Sequence, residues 1–328
     1  MLKEKFKDKI IACVGASNTH EGEYVYAMRS YIKTQTDKCY FLTRGIAGNR
    51  ASLAKFMIDE DVIKDKPDYA IFTFGTNDVG VWLYDADKEE NAELTLQRNE
   101  RIEEHKNCIN EMFTRCLDNG ITPIYCTVPP VNERIDENAE IKTVGDNKEK
   151  SELVKNTFYQ RESFRRVNNG LKNIAKVMQK YCLDNGFDFI DLITPFHKEM
   201  LVKNGLYQED GIHLTQKGHD ITARVLLEFL GYEDKNFFYK KYNDLDELQA
   251  LENAYNGAQF FLRPTYVPEN TPDVPTESYE DRLKLVEDIH LFPEKHPDYS
   301  VRYAKYAYGN LDKLSILRKT IKIKATKV

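Results

Sequence analysis

The sequence predicts an α/β fold built on a parallel sheet, and three observations predict it. Apolar runs begin at Ile10, Tyr69 and Thr122 without a charged interruption, the composition of strands buried on both faces. They stop at Gly15, Gly75 and Pro129-Pro130, and polar sequence follows each. Stretches with helical spacing separate the runs, and strands that alternate with helices call for parallel pairing through right-handed crossovers. Sheets of this kind hold ligands beyond the carboxyl ends of their strands, so the polar residues after each run are the first to weigh for chemistry.

The first strand covers residues 10–15, and Ser17 follows it through the small pair Gly15-Ala16 that leaves its hydroxyl accessible. Taken alone, this stretch favours a serine that caps the next helix. Residues 24–33 have helical spacing, 38–43 read as a second strand, and the loop after it holds Gly45 and Gly48. A helix over 51–63 leads through Lys66-Pro67-Asp68 into the third strand, 69–74, which ends where Gly75-Thr76-Asn77-Asp78 begins. Residues 94–119 form a long helix closed by Asn119-Gly120, and 122–128 form the fourth strand. The charged stretch 132–150 reads as an excursion on the catalytic edge. A helix over 158–185 stops at Gly186, 187–192 is an amphipathic fifth strand near the sheet edge, and a helix capped by Thr215 runs to Gly231.

At 328 residues the chain is long for one domain and short for two large ones, so a main domain over 1–232 and an appendage over 233–328 are expected. Hydrophobic residues at 41% and charged residues at 30% provide for a soluble core. A net charge of −6 gives no broad basic field to attract nucleic acid. The charged start runs straight into the first strand, so no signal peptide is expected, and no apolar run reaches transmembrane length. Cys13, Cys39, Cys108, Cys116, Cys126 and Cys182 include no Cys-x-x-Cys pair and read as buried reduced thiols, which places the protein in the cytoplasm.

Ser17, Arg44-Gly45-Ile46-Ala47-Gly48-Asn49, Gly75-Thr76-Asn77-Asp78 and Asp210-Gly211-Ile212-His213 resemble, in order and spacing, the four sequence blocks of the SGNH hydrolases, the GDSL-type esterases and lipases, over about residues 8–232. The resemblance implies a flavodoxin-like three-layer α/β/α sandwich with a five-stranded sheet in the order 2-1-3-4-5, here with a C-terminal extension. A serine hydroxyl needs a base held by a carboxylate. The three-residue spacing of Asp210 and His213 lets the carboxylate hold Nδ1–H and turn Nε2 toward Ser17. The backbone N–H groups of Ser17 and Gly48 and the side-chain amide of Asn77 would meet the oxyanion, and Asp78 would hold its loop. A lone Asp-x-x-His pair, a turn glycine and a turn asparagine are the ordinary accounts of these residues, and only their joint arrangement outweighs them.

Two departures stand out. Ala16 replaces the aspartate usual before the serine, and the loop from Asn18 to Gly22 is one residue longer than expected. His20 is a spare histidine with a surface or substrate-contacting role. Trp82, the only tryptophan, either walls the acyl or sugar pocket or packs in the core, and the two accounts are equal. No metal-ligand spacing or P-loop is present, so no metal and no cofactor are expected.

The function expected is a serine esterase that removes a short acyl group, acetyl above all, from a carbohydrate or similar small alcohol, the substrate class resting on the resemblance. Acyl transfer by the same triad and a silent carbohydrate-binding member of the fold are the alternatives. The sequence leaves the oligomeric state open, a homo-oligomer included. Beyond Gly231 a helix runs to about Tyr255, a segment with Pro264, Pro268, Pro272 and Pro275 reads as extended chain on the main domain, and a short helix covers 279–289. The basic tail alternates Ile321, Ile323 and Ala325 with Lys322, Lys324 and Thr326, a strand periodicity. Appendage and tail are expected to lie on the acidic main domain or a second subunit and to shape the mouth of the site.

Overall fold

The computed structural model describes residues 2–133, 147–200, 205–232, 243–262, 279–295 and 314–327, with 147–160 as backbone. Its sheet has five parallel strands, β1 (Ile10–Gly15), β2 (Tyr40–Gly45), β3 (Tyr69–Thr73), β4 (Thr122–Cys126) and β5 (Asp188–Ile190), in the order β2-β1-β3-β4-β5. This is the implied order. In register, Gly15 pairs with both Gly45 and Thr73, so the loops after β1, β2 and β3 emerge side by side at one end.

Successive side chains of a strand point to opposite faces, and both faces of this sheet are covered. Ala12, Val14, Ala70 and Phe72 pack in a layer with α3 (Ala51–Asp61), α4 (Ala92–Asp118) and α5 (Asn147–Asn185). Ile11, Cys13 and Ile71 face the other way, toward α2 (Glu23–Ile32), α6 (Ile193–Met200) and α7 (Gln216–Leu230). All six cysteines are buried and free of disulfides.

Several boundaries differ from expectation. The stretch after β1 is a short helix, α1 (Ser17–Glu21), closed by Gly22 at φ 74°. Strand β2 starts later because Tyr40 pairs with Ile10 at the start of β1. Thr215 occupies the position before α7, but its hydroxyl donates to the Gly205 carbonyl at 2.6 Å and caps no helical N–H. Helix α5 begins at Asn147, inside the stretch read as an excursion, and residues 134–146 of that stretch lie outside the described residues.

Beyond the sandwich come α8 (Asn243–Leu262), α9 (Tyr279–Leu291) and α10 (Leu314–Ala325). The proline-rich segment read as extended chain lies outside the described residues. The tail is a helix and not the strand its alternation suggested. Leu314, Ile321 and Ala325 fall on one helical face and pack with Leu248 and Tyr255 of α8 and Leu42 of β2, while Ile323 stays 54% exposed. Two basic groups of α10 find acids, Arg318 at 3.6 Å from Glu60 and Lys324 at 2.8 Å from Glu247.

The face that α8 turns inward is not purely apolar. Glu252, fully buried, accepts two hydrogen bonds from the Arg29 guanidinium, each 2.7 Å, and one from the Thr43 N–H at 2.9 Å. Arg44, also buried, donates to Asp65 at 2.8 Å and lies over the Tyr255 ring at 4.8 Å. A buried arginine without a carboxylate is costly, so α8 completes the charge balance of the main sheet.

Candidate active site

Ser17 is the first residue of α1, with Ala16 in the cap position, so its hydroxyl does not serve as the helix cap. The helix rests directly on the end of the sheet. A Cβ on Gly45 would stand 2.1 Å from the His20 nitrogen, and one on Gly15 would stand 2.3 Å from Thr19 Oγ1 and 2.8 Å from the Thr73 carbonyl oxygen. Only hydrogen at these two positions lets α1 lie this close. In the sequence Gly45 reads as a loop glycine, because a close backbone approach leaves no local signature.

The second and third blocks are joined by hydrogen bonds. Gly48, exposed, has φ 67°, a conformation that favours glycine, and the next carbonyl, of Asn49, accepts from Asn77 Nδ2 at 2.7 Å. Asp78 accepts from the N–H of Ala51, the first residue of α3, at 2.8 Å, and its Oδ1 lies 2.9 Å from His105 Nδ1. His105 Nε2 in turn meets the Tyr125 hydroxyl at 2.9 Å, all three side chains being buried. His105 and Tyr125 went unnoticed in the sequence. The available signal was a histidine within the apolar stripe of Ile102, Ile109 and Met112.

In the fourth block, Asp210 Oδ1 accepts the N–H groups of Ile212 at 2.8 Å and His213 at 2.9 Å, and its Oδ2 is bonded to His213 Nδ1. A carboxylate only accepts, so Nδ1 carries a proton, and it is the neutral ring whose Nε2 then presents a lone pair. Partial burial raises the Asp210 carboxyl, but the hydrogen bonds from the His213 ring and the two backbone N–H groups outweigh it and hold the group below its usual range. The Leu214 N–H donates to Asn18 Oδ1 at 3.0 Å, which stitches this loop to the residue beside Ser17. The bonded partner of the His213 ring is Asp210 and not Ser17, and in unliganded sites such catalytic bonds commonly form only with substrate.

His20 Nδ1 bonds to the Gly45 carbonyl at 3.1 Å, and burial lowers its pKa. Trp82 lies in a short turn, Val81–Tyr84, half exposed, with the Arg101 guanidinium 5.2 Å from its ring, so core packing does not account for it. Among the described residues no three His, Cys, Asp or Glu side chains converge to hold a metal ion, and no helix is long and apolar enough to cross a membrane.

The fold is shared with solved structures. BT4096, a gut microbial diltiazem-metabolizing enzyme, aligns over 98% of this chain and 96% of its own at 13% identity and a TM-score of 0.63. A catalytic mutant of Axe2, an acetylxylan esterase from Geobacillus stearothermophilus, aligns over 72% of this chain and 98% of its own at 17% identity and a TM-score of 0.50. No curated protein matches the chain in sequence. The model of the GDSL-like Lipase/Acylhydrolase family matches residues 10–221, which contain all four blocks, and by that match the chain belongs to the GDSL-like lipase and acylhydrolase family.

Proposed function

We propose that the protein is a serine esterase that hydrolyses short-chain acyl esters, acetyl above all, of a carbohydrate or similar small alcohol. The observation that carries this reading is the bonded Asp210–His213 pair, whose loop is tied through Leu214 to the residue after Ser17. The six buried thiols support a cytoplasmic setting. The fold neighbour Axe2 is by its name an acetylxylan esterase, which agrees with a short acyl group on a sugar.

In this mechanism Ser17 Oγ attacks the ester carbonyl carbon while His213 Nε2 takes the hydroxyl proton, and Asp210 holds the imidazolium that forms. The carbonyl oxygen becomes an oxyanion that accepts hydrogen bonds from the N–H groups of Ser17 and Gly48 and from Asn77 Nδ2. The Ser17 N–H lies in the first turn of α1 and so lacks an intrahelical acceptor. One N–H of the Asn77 amide is anchored on Asn49, and the other remains for substrate. Collapse of the intermediate breaks the bond to the alcohol, which leaves with the proton from His213. Water then attacks the acyl-serine, gives its proton to His213, and frees the acid and Ser17.

A fluorophosphonate probe is expected to label Ser17, and Ser17→Ala is expected to cut p-nitrophenyl acetate turnover by at least about a thousandfold with the melting temperature preserved. Near-normal turnover by a folded Ser17→Ala variant would overturn the assignment.

A further inference from the structure

A cleft of 580 Å³ lies against α1, walled by α1, the start of α2, the Gln208-to-His219 segment and α8. Its position follows from the elements that carry the proposed triad. Ser17 opens α1, and His20 and Glu21 of the cleft wall come one turn later, about 5 Å along the axis at 1.5 Å per residue. Leu214, on the opposite wall, directly follows His213.

The wall chemistry is selective. Primary amides of Gln208, Gln216, Gln249 and Asn253 line it, those of Gln208 and Gln249 already donating to Glu21 and Glu23 and keeping their oxygens to accept, and Leu214 is the single apolar lining residue among the described residues. Glu21 and Glu23 add two carboxylates, whereas no Lys or Arg lines the cleft among the described residues. Burial keeps His20 from offsetting that charge. His219, 1% exposed, reaches Glu21 with Nε2 at 3.2 Å, and its buried Nδ1 has no hydrogen-bond partner.

We infer that this cleft is the subsite for the alcohol portion of the ester, and that it takes a polyhydroxyl group bearing no negative charge. The inference rests on the esterase reading and extends it. One of its walls is outside the four sequence blocks: Gln249, whose Nε2 lies 3.3 Å from Glu23 Oε1, and Asn253 both come from α8, beyond the residues that the family model matches. Selection of the alcohol is thereby assigned to α8, and the acyl chemistry to the sheet loops.

The test compares kcat/KM for three esters: mono-O-acetyl cellobiose, which is neutral; mono-O-acetyl glucuronic acid, which is anionic; and p-nitrophenyl acetate, which has no polyol. The wild type should prefer the cellobiose ester to the glucuronic acid ester. Gln249→Ala and Asn253→Ala should each lower the ratio of cellobiose ester to p-nitrophenyl acetate by about tenfold, the worth of one good hydrogen bond. Both residues are at least partly exposed, and an unchanged melting temperature would show that the variants fold. Glu23→Lys should raise the ratio of glucuronic acid ester to cellobiose ester by about fivefold at low salt, and high salt should erase the gain. Ratios that stay constant in all three variants while Ser17 is still labelled by the fluorophosphonate would overturn the subsite alone. Loss of all three activities with Ser17 unlabelled would overturn the esterase reading and the subsite with it.

Discussion

Asp210 uses its two oxygens differently, one to organise its own loop through two backbone N–H groups and one to hold the His213 ring. Asp210→Asn should keep part of the first role and disturb the second, since an amide can present a donor to Nδ1 where a carboxylate only accepts. His213→Ala removes the base altogether. The loss in kcat from Asp210→Asn is therefore expected to be about tenfold smaller than that from His213→Ala, read by steady-state kinetics. The reverse ranking would mean that another residue is the base. Asp61, a buried carboxyl within reach of the Arg44 charge, gives a different prediction. Burial pushes its carboxyl from 3.8 up to about 7, against the pull of Arg44. Between those values the folded chain holds a proton that the unfolded chain has released, so this group's contribution to stability falls as pH rises from 4 to 7 and stays lost above. Asp61→Asn should match the wild type near pH 4 and exceed it at pH 8, by an amount on the order of 3 kcal/mol. Urea unfolding of both proteins across this range would check the sign.

At the scale of elements, the contact that matters most for the site is α1 on the end of β2. Gly45→Ala would place a methyl group within the backbone of α1, 2.1 Å from the His20 nitrogen, and neither backbone can yield without moving Ser17. A displacement of about 1 Å at a nucleophile costs roughly a hundredfold in rate, which is the loss in kcat expected for this variant. Circular dichroism should show the sheet intact, because β2 pairs with β1 over its whole length and that pairing does not pass through the new methyl. Wild-type kcat in Gly45→Ala would show that α1 tolerates a shift. The buried Asp78, His105 and Tyr125 chain acts at the same scale: it joins the third block to α3, α4 and β4, so the Asn77 loop is braced from three elements.

For the molecule as a whole, α8 decides whether the sandwich is self-sufficient. Removing the chain after Gly231 would leave Arg29 without Glu252 and would uncover Leu42 and Met57, which α8 and α10 cover. Breaking a buried pair by removing one partner costs about 3–5 kcal/mol, so Glu252→Ala alone should lower stability by that order in chemical denaturation. The truncation should fare worse, falling in melting temperature or failing to stay soluble. A soluble truncation with wild-type stability and substrate preference would show that the C-terminal helices are dispensable. The alignment with BT4096 over 98% of this chain includes these helices and agrees with their being part of the fold.

The sequence by itself determined the features that a local pattern can carry. A strand covered on both faces must be apolar along its length, so β1, β3 and β4 were legible as runs, and the glycine or proline after each marked where the polar blocks begin. The Asp210–His213 pair was legible because three residues of spacing suffice to bring the groups together. Other features were decided only by tertiary structure. Glu252 bonds Arg29 across 223 residues, and no window of sequence contains both. The tail alternates like a strand and forms a helix, because α8 and Leu42 present a partner to Leu314, Ile321 and Ala325 on one helical face. Gly45 reads as a turn residue until α1 is seen resting on it. In each case periodicity reports which face of an element is apolar, whereas the identity of what covers that face depends on the path of the whole chain.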